Sequence, residues 1–76
     1  MDVARLTYMA NQIARNLAAG GEDAAIAATA QHIVNYWEPR MKAALLAGDR
    51  SALEPIARAA VERLDGSGNR KISPKN

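Results

Sequence analysis

Apolar residues in this chain recur every three or four positions, and nowhere do they alternate as in a strand. That spacing confines the chain to helices packed on one another. Over residues 2–18, Val3, Leu6, Ala10, Ile13 and Leu17 form one stripe, widened by Met9, and Asp2 suits the positive end of a helix. Gly20-Gly21 supplies the stop. Residues 22–37 predict a second helix, opened by Glu22 and Asp23, with Ile26, Ala30, Ile33 and Trp37 on one face and Ala27 and Val34 beside them. Its run of alanines (Ala24, Ala25, Ala27, Ala28, Ala30) keeps it thin, so another backbone can approach closely. Pro39 disfavours helix at Glu38 but suits a first turn, which predicts a third helix over 39–47, ended by Gly48. Met41, Ala44 and Leu45 form its inward side. Ser51 to Glu54 fits the S-x-x-E capping box ahead of a fourth helix reaching Leu64. Pro55 leaves the start of that helix open between Ser51 and Glu54. Leu53, Ile56, Ala57, Ala60, Val61 and Leu64 face inward along it.

The expected fold is therefore all-α, a small bundle of four short helices. Residues 1–64 form the helical domain. Residues 65–76, with two glycines, a proline and no apolar periodicity, predict a flexible, disordered basic tail. The expected core is Leu6, Ile13, Leu17, Ile33, Trp37, Met41, Leu45, Ile56 and Leu64.

A chain of 76 residues has a thin stability margin, since a domain this small buries roughly 60% of the surface its unfolded form exposes. Small scaffolds usually add disulfides, a metal or a partner. The absence of Cys excludes disulfides, iron–sulfur clusters and cysteine zinc sites, and a single His cannot build a histidine-rich metal site. A partner protein or self-association is left as the source of extra stability. The net charge of +2 is not a basic face. Across residues 1–64 the Lys and Arg side chains are matched one for one by Asp and Glu, and the surplus is Arg70, Lys71 and Lys75 against Asp65. No nucleic-acid partner is expected on that basis. Arg5, Asn11, Gln12 and Arg15 interrupt any apolar N-terminal core, so no signal peptide is expected. No apolar run approaches the ~20 residues of a membrane span, so no membrane association is expected.

Catalytic constellations are missing as well. The one His is His32; Ser51 has work as a helix cap, and Ser67 and Ser73 fall in the tail. The carboxylates sit at helix ends or beside basic residues, where capping and solvation account for them. Gly20-Gly21 lacks the further glycines and lysine of a phosphate loop. No catalytic residue, cofactor or metal site is assigned.

What remains points to contact. Tyr8, Asn11, Gln12 and Arg15 form a polar stripe on the first helix, which reads equally as a solvated face or as an adaptable protein contact. His32 and Tyr36 lie one turn apart on a flank of the second, as surface residues or as part of an interface, with Arg40 following. Trp37 reads as a core corner between helices two and three, or as a docking hot spot.

The same stretches carry a family resemblance. Met9-Ala10-Asn11-Gln12-Ile13-Ala14, then His32-Ile33, then Trp37-Glu38-Pro39-Arg40-Met41 resemble the delta subunit of NAD-dependent, molybdenum-containing formate dehydrogenase, and Leu53, Pro55, Ala60 and Leu64 fit the weaker C-terminal pattern. The resemblance spans residues 6–64. The chain departs from it at Leu17, where an aromatic residue is expected, and it contains no Phe. The resemblance implies a cytoplasmic accessory subunit without a cofactor of its own. Its large partner would carry the molybdenum bis-pterin centre and iron–sulfur clusters, and further subunits would pass electrons through flavin to NAD. The implied role is to dock on the large catalytic subunit and support assembly or stability of the enzyme. Polarity and exposed aromatics, and not the resemblance, place the expected contact on Tyr8, Asn11, Gln12 and Arg15 with His32, Tyr36 and Arg40. A dissociable factor assisting molybdenum cofactor insertion is the alternative, and a small helix-turn-helix nucleic-acid binder is a third reading. In isolation, a homodimer through the surface meant for the partner is expected.

Overall fold

Asp2 opens the first helix. Its backbone is extended, and its Oδ1 accepts a hydrogen bond from the Ala4 N–H at 3.0 Å, satisfying one of the free donors of α1 (Val3–Leu17). The computed structural model describes residues 2–65. A single 3-10 turn, Ala18–Gly20, tightens the end of α1, and Gly21 then reverses the chain at φ 100°. That left-handed angle is open to glycine at little cost and strained for any other residue. The next helix, α2 (Glu22–Tyr36), starts at once, with Glu22 and Asp23 in its first turn. It ends where Trp37 turns extended, its N–H still bonded to the Ile33 carbonyl at 3.1 Å. Glu38, ahead of proline, is extended too, and Pro39 takes the first turn of α3 (Pro39–Ala47).

Gly48 ends α3 for a reason other than handedness. Its φ is −82°, an ordinary value, but a Cβ there would lie 2.6 Å from Cγ1 of Val3. The close approach of two chain segments demands the glycine. The last helix is α4 (Pro55–Asp65). The capping box expected at Ser51 does not form. Ser51 instead turns back on Asp49, its N–H and hydroxyl both donating to that carboxylate at 2.9 Å. Pro55 explains the outcome: it disfavours helix at Glu54 and has no N–H to cap, so the helix starts on the proline itself. At the other end α4 runs through Asp65, which pairs with Nη2 of Arg50 at 2.9 Å. The rest of the tail expected from position 65 onward lies outside the described residues.

The four helices are all the regular structure among the described residues apart from the 3-10 turn. The most extensive pairing is α2 with α4; α1 packs on α2, α3 and α4, and α3 also touches α4. Leu6, Ala10, Ala14, Ile33, Trp37, Leu45, Leu53, Ala57 and Val61 form the buried cluster, with Met9, Ile13, Met41, Ile56 and Leu64 packed half-buried around it. Leu17 is half-buried. The buried stripes are turned from those the apolar pattern marks. On α1 Thr7 and Ala14 go inside while Val3 and Ile13 stay half-buried. On α2 Ala25 and Thr29 go inside while Ile26 stays half-buried and Ala27 and Val34 are exposed. Small side chains win these places because they let neighbouring backbones come close, which larger apolar residues prevent.

Candidate partner-contact surface

Two side chains of α1 reach across to the start of α4. The Asn11 Nδ2 donates to the Ala52 carbonyl at 3.1 Å, and its Oδ1 accepts from the Glu54 N–H at 2.8 Å. One amide thus satisfies an acceptor and a donor just ahead of the first turn of α4, the place the absent capping box would have served. One turn further along α1, Arg15 meets the Glu54 carboxylate with two nitrogens, Nε at 3.0 Å and Nη2 on the second oxygen. This two-point pairing suits a planar guanidinium and a carboxylate. It raises the Arg15 pKa, chiefly through the hydrogen bond and then through the Glu54 charge. The same hydrogen bond holds Glu54 below the usual carboxylate range. Asp49 is lowered likewise, first by the Ser51 N–H and then by its hydroxyl.

Asn11 and Arg15, expected at a partner contact, therefore spend their polar atoms inside the chain. The other expected contact residues lie at the surface. Tyr8 is 65% exposed, and Gln12 is exposed beside it on α1. Tyr36 is 74% exposed and stacks against half-buried His32, ring centres 4.8 Å apart and tilted by 42°. Arg40 is exposed in the first turn of α3. Among the described residues no hydrogen bond or ion pair joins the α1 group to the His32–Tyr36 group. Trp37 is 6% exposed and sits in the core cluster. Lys42 reaches back with Nζ to the Val34 carbonyl at 3.5 Å, tying α3 to the end of α2.

Two residues escaped sequence reasoning. Glu54 looked like part of its own helix cap, and only Asn11 and Arg15, about forty residues earlier, show its role as an anchor. Val34, 46% exposed, looked like a flank of the core. Beside the Arg15–Glu54 pair lies a half-open groove of about 340 Å³. Ala14, Ala18, Pro55 and Ile56 form its apolar floor, and Arg15, Glu22 and Glu54 its charged rim. Among the described residues no cluster of three or more His, Cys, Asp or Glu is placed to hold a metal, and no helix is long and apolar enough to cross a membrane.

Fold and surface together define a class: a small all-helical body whose polar side chains secure its own joints while its tyrosines stay outside. Comparison with known families narrows this further. The family model described as the NADH-dependent formate dehydrogenase delta subunit FdsD matches residues 5–61, from the first turn of α1 well into α4. The chain belongs to that family. No curated protein and no solved structure gives a significant match.

Proposed function

We propose that this chain is a non-catalytic accessory subunit of a cytoplasmic NAD-dependent formate dehydrogenase, which docks on the large molybdenum-containing subunit and supports its assembly or stability. The observation that carries the reading is the extent of the family match: it takes in residues 5–61, so it reaches all four helices and is not one short motif. The exposed tyrosines support it, because tyrosine and arginine are favoured at protein contacts. Tyr8 and Gln12 on α1, with His32, Tyr36 and Arg40 at the α2–α3 corner, offer side chains to a partner. Asn11 and Arg15 instead fix the start of α4.

The test is genetic and biochemical together. Deleting the gene should abolish or sharply reduce formate oxidation, and a tagged copy should return the large subunit in stoichiometric amount with active enzyme. Unchanged assembly and activity in the deletion strain would overturn the proposal. Active enzyme recovered without this chain, yet formed only in cells that contain it, would replace the subunit with a dissociable factor assisting cofactor insertion. Sedimentation of the isolated chain tests the expected homodimer, and a monomer at high concentration rejects it.

A further inference from the structure

The groove at the start of α4 is a concavity that the described residues do not fill. Its floor is small because Ala14 and Ala18 stand where larger side chains would close it, and Ile56 is only half-buried beside them. Its walls are fixed. Asn11 holds the Ala52 carbonyl and the Glu54 N–H, Arg15 holds the Glu54 carboxylate, and Pro55 stiffens the first turn of α4. A preformed cavity of about 340 Å³ has room for one large apolar side chain, and seating such an anchor loses little to ordering its own walls.

The rim adds a charge preference. Among the described residues that line it, the single cation, Arg15, is already taken by Glu54. Glu22 also lines the groove and is exposed, and among the described residues its carboxylate makes no hydrogen bond or ion pair. The positive end of α2 favours a carboxylate at this position but leaves its oxygens free to accept. Formal charge along the rim is thus one acid in excess, Glu22 and Glu54 against Arg15. We infer that this groove is an anchor site for the large subunit, taking one apolar side chain on its floor and a neighbouring Lys or Arg at Glu22. The inference rests on the subunit reading above and assigns it a contact separate from the tyrosines.

The full chain, tagged and produced together with the large subunit, tests it through the amount of large subunit retained. Ala18→Trp fills the groove from an exposed position, and Glu22→Lys reverses the free charge. Each should lower retention by at least about ten-fold, with the helical signal in circular dichroism unchanged. Glu22→Gln should fall between Glu22→Lys and the parent, and Ala28→Trp, on the exposed side of α2, should retain fully. Retention of both groove variants at the parent level would overturn the inference and leave the subunit reading intact. A shift in the oligomeric state of the isolated chain, with retention unchanged, would assign the groove to a second copy and overturn it too. Failure of the parent chain to retain the large subunit would overturn the subunit reading itself.

Discussion

At its start α4 is gripped by two polar side chains of α1, whereas along its length it lies against α2 through small apolar ones. The residues buried on α2 and α4 are Ala25, Thr29, Ala30 and Ile33, and Ala57, Ala60 and Val61, of which Thr29 alone has a polar side chain. The polar junction is local and directional. Asn11 and Arg15 decide where α4 begins, because a shift of one residue would break every bond they make. The dry pairing is close but unspecific in register, since one alanine resembles the next. Burial supplies most of the free energy, and the hydrogen bonds at the boundary select one arrangement among several of similar energy.

Substitutions can rank the two regions. Ile33→Ala should have the largest effect, because Ile33 is fully buried in the core cluster. A loss of about 2–5 kcal/mol is expected in urea unfolding, comparable with the whole stability of so small a domain. Asn11→Ala should come next, at about 1–2 kcal/mol, because it strips partners from the Glu54 N–H and the Ala52 carbonyl together. An Asn11→Ala cost above that of Ile33→Ala would break the comparison and make the polar junction the main support of the fold. Thr29→Val should act in the opposite direction. Thr29 is fully buried, and among the described residues its Oγ1 has no hydrogen-bond partner. Replacing the hydroxyl by a methyl of similar shape removes an unmet polar group, so a gain of about 1 kcal/mol is expected. In a domain of this size that raises the thermal midpoint by roughly 4–8 °C. A lowered midpoint would show that the hydroxyl stabilises the α2–α4 pairing.

The helices were legible in the sequence because their punctuation is local. Asp2, Gly20-Gly21, Pro39 and Gly48 each act within a few residues of themselves, and the helix ends fall on or beside them. The buried faces were less legible. Apolar periodicity ranks Ile13 above Ala14 and Ile26 above Ala25, but backbone approach reverses both, and approach is a property of the neighbouring helix. The polar junction was not legible at all. Asn11 and Arg15 stand about forty residues from Glu54, and nothing near any of them signals the pairing. The Ser51 cap failed for a nearby reason, since Pro55 displaced the helix start from under it. What an outer-facing stripe offers to a partner could therefore be judged only after the chain's own demands on it were known.

The smallest expected effect separates the two regions by pH. Glu54 lies below its ordinary value of 4.5, first because Arg15 hydrogen-bonds its charged form, with desolvation opposing and the Arg15 charge adding to the fall. Asp49 lies below 3.8 through the Ser51 N–H and hydroxyl. Both carboxylates hold their proton less tightly folded than unfolded. Their contribution is therefore complete above the ordinary values and is lost as the pH falls through the depressed ones. Both groups are solvent-exposed, so the effect is modest and weakens with salt. The thermal midpoint should stay level from about pH 7 to about pH 5 and fall below that. Glu54→Gln should remove part of the acid fall and most of its salt dependence, leaving the share that belongs to Asp49. Thr29→Val should shift the whole curve without changing its shape, because the dry pairing titrates nothing. If Thr29→Val changes the shape, or Glu54→Gln leaves it intact, the acid response does not belong to the junction at the start of α4.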